Sequence, residues 1–442
     1  MSKLEAKAAN LLIGYAMLLA ASYTMMRTVG DSLYLSRVGS DSLAAVFLAS
    51  GIATAVVSSI WFWLTRRQCL STSIRSSGLI FAALTFAAWA ALPFLGHAWW
   101  LLAAIYMLTE IKGCVNAINV VTAMNEILGK HSSRRSWARI GLGTPLAGII
   151  VGALMGVEAT FIDLRYWLLF SALLDLLSVV PLANTPKLVV PKSAAKLEVE
   201  DSYKSMISNA SKMLEVYVCP RKFRFWIGIL IAAKVVVLTL VTFYWKISVN
   251  DFFSGNEQLL TRYFAVFYAC IGLMTLLVQS VLTGRLISHG RNLQIPILVM
   301  PVTLTILGVV VVFGAGTLFL LVVLTLAKSL EIWRRSVHDT TLNLLYTNIE
   351  RENRRGAIAV NSAVVKPLAE VGASMCLLLG TARWHQSFVV LGLGFWVVAA
   401  FSLLKLLAQR RRRLAAIKLA LVQSVPTPES NIKQFVPRLF NN

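Results

Sequence analysis

Residues 225–247 read Phe-Trp-Ile-Gly-Ile-Leu-Ile-Ala-Ala-Lys-Val-Val-Val-Leu-Thr-Leu-Val-Thr-Phe-Tyr-Trp-Lys-Ile. As a helix rising about 1.5 Å per residue the stretch is about 35 Å long, enough to cross a hydrocarbon core of roughly 30 Å. No water reaches the backbone in that core, so each amide has to bond within its own segment, and the stretch is predicted to be a transmembrane helix. Lys234 stands in the middle of the run, where a charge is expensive.

Similar blocks occupy most of the 442-residue chain. It is 57% hydrophobic and 14% charged, with mean hydropathy +0.71, whereas ordinary soluble domains are about 45–50% apolar and about 25% charged. Strand alternation is absent, which excludes a membrane barrel. The expected spans are Leu11 to Leu35, Ser42 to Leu64, Ser76 to Leu95, Ala98 to Leu128, Ala138 to Val157 and Phe161 to Leu182. After a lysine-rich polar stretch they continue with Phe225 to Ile247, Leu259 to Ile287, Leu293 to Phe313, Gly316 to Thr347, Gly356 to Gly380 and Phe388 to Leu407. The domain expectation follows: a six-helix bundle over 1–183, a basic linker over 184–224, a second six-helix bundle over 225–408 and a basic tail over 409–442.

The net charge of +22 is spread through short connections and does not form a nucleic-acid patch. Alternate connections carry Arg66, Arg67 and Arg75, then Lys130, Arg134, Arg135 and Arg139, then the lysine-rich middle. The same side continues with Arg285 and Arg291, then Arg351, Arg354 and Arg355, and finally the tail from Arg410; the opposite loops hold little beyond Arg37 and Arg383. Excess Lys and Arg marks the cytoplasmic side. Both termini are therefore expected in the cytoplasm, and the chain is expected as a multi-pass protein of the inner (plasma) membrane.

An internal repeat supports two halves. Asn125-Glu126, Arg134-Arg135 and Pro145-Leu146-Ala147 are echoed by Asn343-Leu344, Arg354-Arg355 and Pro367-Leu368-Ala369, the triplets being 222 residues apart. The fold class is thus all-α integral membrane, with about twelve transmembrane helices in two six-helix pseudo-repeats. Six plus six helices around a midplane site is the major-facilitator arrangement.

Ionisable residues at membrane depth default to a functional reading. Seven are basic (Arg27, Lys112, Lys234, Lys328, Arg334, Arg335, Lys366) and six acidic (Asp31, Glu110, Asp175, Glu331, Asp339, Glu370). Arg27–Asp31 and Lys366–Glu370 are four apart and share a helix face, and Glu331, Arg335 and Asp339 step by four as a ladder. Asp175 and Asp339 are expected near the hydrated cytoplasmic face. Lys234 has no local carboxylate, and Glu110 and Lys112, two apart, diverge on their helix. The expected substrate-binding residues are Arg27, Glu110, Lys112, Asn116, Lys234, Lys328 and Arg335. Asp31, Glu331, His338, Asp339, Lys366 and Glu370 are the expected coupling or gating groups.

Other features read as structural. Cys69, Cys114, Cys219, Cys270 and Cys376 have no paired spacing and suit small packing positions. Trp61, Trp63, Trp99 and Trp100 fall at helix ends, as interfacial aromatics do. Gly141, Gly143, Gly148, Gly152 and Gly156 suit close helix packing. No phosphate-binding glycine loop, metal-ligand spacing or nucleophile motif is present in the sequence, so no cofactor and no enzyme chemistry are expected.

Several segments resemble the ATP/ADP translocase family of nucleotide transporters and its bacterial relatives, distant kin of major-facilitator carriers. Met26-Arg27-Thr28-Val29-Gly30-Asp31 is similar to that family's Arg-Pro-Leu-Arg-Asp element, with Gly30 where a second arginine is common. Thr109-Glu110-Ile111-Lys112-Gly113 with Asn125-Glu126 resembles its fourth helix, and Arg134-Arg135 through Gly148 its charged loop and glycine-rich fifth helix. Ser336, Asp339, Thr341, Leu344 and Tyr346 follow its pattern, running on into Arg354-Arg355-Gly356 and Lys366-Pro367-Leu368. Leu342 and Asn343 replace a Lys and Glu of the energy-parasite members. The resemblance implies a carrier fold, with Arg27, Glu110 and residues of the tenth helix lining a cavity.

The functional expectation is an alternating-access secondary transporter of a small, anionic solute, nucleotide-like or another metabolite, with a coupling ion and the lipid bilayer as its other partners. Two rivals share the fold: a non-transporting membrane subunit serving as assembly or sensor partner, and a lipid flippase.

Overall fold

The computed structural model describes residues 3–65, 70–127, 141–158, 161–181, 221–283, 294–314, 316–346, 357–358, 360–379 and 392–409, with 68 and 412 as isolated positions. Every regular element among these residues is helical. The first six are α1 (Lys3–Arg37), α2 (Leu43–Thr65), α3 (Leu70–Leu95), α4 (Trp99–Ile127), α5 (Gly143–Glu158) and α6 (Leu164–Ser178). Next come α7 (Arg221–Phe253), α8 (Glu257–Val278, running into a π-helical turn at Gln279–Thr283) and α9 (Gln294–Phe313).

The tenth helix, α10, is interrupted. It runs Thr317–Ser329, Glu331–Trp333, a π turn at Arg334–His338 and then Asp339–Tyr346. The eleventh, α11, opens with a π turn at Asn361–Val365 and continues as Lys366–Leu379, and α12 is Gly392–Gln409. These correspond one for one to the twelve expected spans. Seven of them (α1, α2, α3, α4, α7, α8, α12) are long and apolar enough to cross a membrane, while Gly143–Glu158 and Ile295–Val311 are shorter apolar helices. The central linker, the basic tail and most of the charged connections, including Arg66, Arg67, Arg134, Arg135, Arg285, Arg291, Arg354, Arg355 and Arg383, lie outside the described residues.

Local chemistry sets the tight turns at the end of the bundle away from the termini, called the far end below. The Asp163 side chain accepts from the Arg165 amide at 3.0 Å and caps α6, and the Asn256 side chain accepts from the Leu259 amide at 3.0 Å and caps α8. Ser254 and Gly255, at φ 50° and 71°, let the chain reverse between α7 and α8 in three residues. Such side-chain caps satisfy helix-end amides that no preceding turn can reach.

The two halves meet along two seams, α5 against α8 and α2 against α11. Advancing each helix number by six turns the α2–α11 seam into the α8–α5 seam, as a twofold repeat requires. The backbones come very close there. A Cβ on Gly152 of α5 would lie 2.5 Å from the Ala265 carbonyl oxygen of α8, and one on Gly272 of α8 would lie 2.7 Å from that of Pro145. At the other seam a Cβ on Gly51 would lie 3.0 Å from Val371 Cγ2. Small residues are what allow membrane helices to approach this closely.

The apolar core is distributed unevenly along the bundle axis. Near the far end one continuous cluster joins both halves, including Leu33, Leu43 and Ile105 with Trp245, Val249 and Phe264. Towards the termini the core divides. Leu12, Tyr15, Leu19, Ile74 and Met124 pack together in the first half, and Phe223, Ile227, Leu345, Trp396 and Leu403 in the second. Large exposed apolar side chains such as Ile52, Phe86, Leu176, Leu277, Val309 and Phe401 cover the outside, as a surface facing lipid requires. Polar and charged groups fill the space where the two cores part.

Candidate functional site

The charged residues of the helices sort into three arrangements. The first is sealed inside the first half. Lys112 of α4 donates to Asp175 of α6 at 2.6 Å and to the Ser22 and Ser171 hydroxyls at 2.5 and 3.1 Å. Ser22 also reaches Asp175 at 2.8 Å, and all four residues are buried. Every polar atom of the cluster has a partner, so the pair is satisfied within one half. Lys112 is thus paired within its own half, and Asp175 is buried, whereas the sequence places it near the hydrated face. The cause is tertiary: α6 packs along α1 and α3 and delivers a carboxylate 63 residues away in sequence to the ammonium.

The second arrangement bridges the halves near the far end. Lys246 of α7 donates to Asp31 of α1 and to the Tyr106 hydroxyl of α4, both at 2.6 Å. Asp31 also accepts from the Tyr268 hydroxyl of α8 at 3.4 Å and lies 3.9 Å from Arg27. Lys246 carries no expected role from sequence because it sits one residue from the predicted end of its helix, where a lysine usually reaches the interface. The helix instead continues to Phe253, which places Lys246 inside.

The third arrangement occupies the region between the divided cores. Glu331 of α10 is approached by three cations: Arg335 at 3.0 Å, Lys328 at 3.3 Å, and Arg334. The Arg334 and Arg335 side chains remain 24% and 30% exposed, whereas Glu331 is buried. Arg27 donates to the Tyr23 hydroxyl at 2.7 Å and lies against the Tyr23 and Tyr268 rings. It is in electrostatic range of both Glu331 and Glu110. Glu110 of α4 and Glu370 of α11 are part-exposed, and Lys366 of α11 is exposed. These three lie in range of one another, and Lys366 and Glu370 also of Arg334.

Two expected pairings come out differently. Lys366 and Glu370 stay in range of each other, but among the described residues no ion pair within 4 Å joins them. The ladder of Glu331, Arg335 and Asp339 is half formed. Asp339 leaves it and accepts from Lys234 of α7 at 2.8 Å. The π turn at Arg334–His338 is the reason: it inserts a wider turn, so positions four apart no longer align. Lys234 thus has its partner on another helix, the lysine buried and Asp339 part-exposed.

Lys328 is buried, donating to the Thr242 hydroxyl at 3.0 Å and lying over the Trp245 ring. Asn116 is buried in α4, its Nδ2 without a partner among the described residues. His338 is wholly buried edge-on to Trp396, its Nδ1 3.6 Å from Asp339. The structure therefore gathers Arg27, Glu110, Lys328, Glu331, Arg334, Arg335, Lys366 and Glu370 into one charged cluster, each in ion-pair or electrostatic range of others. Lys234 and Asp339 pair with each other, and Lys112, Asn116 and His338 are buried. Tyr23 and Tyr268 join the lining, although nothing in the sequence separates them from packing aromatics.

No family model matches the chain, and no curated protein matches it. Solved structures do. The chain superposes on a D-xylose-proton symporter with TM-score 0.60 at 15% identity, covering 90% of this chain and 96% of that one. It superposes on the human organic anion transporter MFSD10 (TETRAN) with TM-score 0.60 at 14% identity, covering 90% and 99%. For the nucleoside transporter NupG the values are 0.56, 13%, 91% and 100%. At such identities the likeness is one of fold, and the chain has a twelve-helix, major-facilitator-like fold. These likenesses bear on the fold and not on the resemblance to ATP/ADP translocases.

Proposed function

We propose that this chain is a secondary carrier that moves a small organic anion across a membrane by alternating access. The central space between the two six-helix bundles, over 1–183 and 225–408, is its binding cavity. One observation carries the reading: the cavity cluster holds five cations (Arg27, Lys328, Arg334, Arg335, Lys366) against three carboxylates (Glu110, Glu331, Glu370). An excess of about two positive charges in a space lined by membrane helices is costly unless an anion shares it. The proteins of similar fold are named for xylose, organic anions and nucleosides, so the fold supports carriage of a small molecule and the charge supports the choice of an anion.

Arg27, Arg334 and Arg335 present guanidinium groups part-exposed to the cavity, a geometry suited to carboxylate or phosphate oxygens. Tyr23 and Tyr268 supply aromatic faces beside them. Glu110 and Glu370, one from each half, are the groups best placed to take a coupling proton or to repel a less charged solute. Both termini face the cytoplasm in this reading, as the excess of basic connections favours. A nucleotide is the first anion to try, given its charge and an aromatic-lined cavity.

The test is uptake of labelled ATP by purified protein in liposomes, with and without internal nucleotide, followed by smaller di-anions. Saturable uptake stimulated by internal nucleotide establishes an exchanger. Absence of saturable uptake for every organic anion tried removes the anion reading.

A further inference from the structure

Lys246 is a buried lysine of the second half whose hydrogen-bond partners among the described residues all belong to the first. Its ammonium lies 2.6 Å from Asp31 on α1 and 2.6 Å from the Tyr106 hydroxyl on α4, with the Phe47 ring of α2 at 5.3 Å and the Tyr106 ring at 4.6 Å. Its side chain is fully buried and that of Asp31 is 3% exposed. The lysine thus projects across the seam into a socket made by three helices of the other half. A buried ammonium is tolerable only while paired, so this contact depends on the halves staying together at the far end.

Each ion also has somewhere to go when they part. Asp31 has Arg27 at 3.9 Å on its own helix, and Lys246 lies about two turns from the end of α7, within reach of water once the halves part there. The contact can therefore be made and broken without leaving a buried charge alone. The Arg37–Glu257 pair, also between halves at this end, is 2.9 Å long but part-exposed on both sides, and solvent-accessible pairs contribute little.

We infer that Lys246 and its socket of Asp31, Tyr106 and Phe47 form a latch that holds the cavity closed towards the far side and is released when the carrier opens there. The inference rests on the carrier reading above and adds the control of its cavity.

The test measures distances between spin labels in cysteine-free protein in lipid nanodiscs. One label pair, Ser40→Cys with Ser254→Cys, reports the far end; a second, Thr65→Cys with Ser280→Cys, reports the termini end. In the parent the far-end distance is expected to be short. Lys246→Gln is expected to lengthen it while the termini-end distance shortens, and Lys246→Arg to keep the parent distribution. Tyr106→Phe, which removes only the hydroxyl, keeps the test alive if Lys246→Gln fails to fold, and is expected to move both distances the same way by less. Unmoved distances in the folded variants, or broadening at both ends together, overturn the latch. No solute is needed, so failure to find a transported anion leaves this result standing, and unmoved distances leave the uptake experiment intact.

Discussion

Lys112 in the first half and Arg335 in the other are alike in sequence: each is a basic residue inside a membrane helix, close to an acidic one. The fold gives them opposite surroundings. Lys112 is enclosed with Asp175, Ser22 and Ser171, one cation to one carboxylate and every polar atom bonded. Arg335 shares a single carboxylate, Glu331, with two other cations and remains 30% exposed. A neutral, saturated cluster suits packing, whereas an unsaturated, part-exposed one suits the binding proposed for it. The difference also extends to the backbone. In the first half α4 is one uninterrupted helix, while α8, α10 and α11 of the other half each contain a π turn towards the termini end, a feature frequent at functional sites.

The contrast breaks most sharply at the sealed pair. Lys112→Met leaves Asp175 buried without its counter-ion and is expected to cost about 3–5 kcal/mol, while Lys112→Met with Asp175→Leu recovers most of that. Thermal unfolding in detergent reads both, and a mild effect of the single change would mean the cluster is hydrated after all. Next in size, Arg335→Gln and Arg27→Gln are expected to lower anion uptake roughly 10- to 100-fold, the weight of one or two charge-assisted hydrogen bonds, with the unfolding midpoint nearly unchanged.

A smaller effect is expected at the α5–α8 seam. Gly152→Val forces apart helices that now touch backbone to backbone, costing about 1–3 kcal/mol of packing and slowing transport, as uptake and unfolding together can show. Smallest, Glu110→Gln adds one unit to the positive excess of the cavity and is expected to shift the apparent affinity for a di-anion about fivefold or less, towards tighter binding. Weaker binding would put Glu110 in contact with a cationic part of the solute instead.

The sequence shows the elements better than the pairings. Apolar block length locates all twelve helices, and the glycines of α5 correctly announce a close seam. What decides the site is not local. Asp175 reaches Lys112 only through the packing of α6 on α1, and Lys234 meets Asp339 only because α10 carries a π turn that four-residue spacing does not reveal. Lys246 escapes notice because its helix outlasts the apolar run by about six residues, turning an apparent interfacial lysine into a buried one. Arg27 and the α10 arginines are legible because they stand deep inside long helices with fewer carboxylates than cations around them.

The most direct test of the central claim is anion uptake into proteoliposomes by the parent protein, Arg27→Gln and Arg335→Gln, each first shown to be folded. Saturable uptake by the parent that both variants lose is the predicted result. Full uptake by both folded variants would contradict the account, because the anion would then be held somewhere other than the cavity between the two halves.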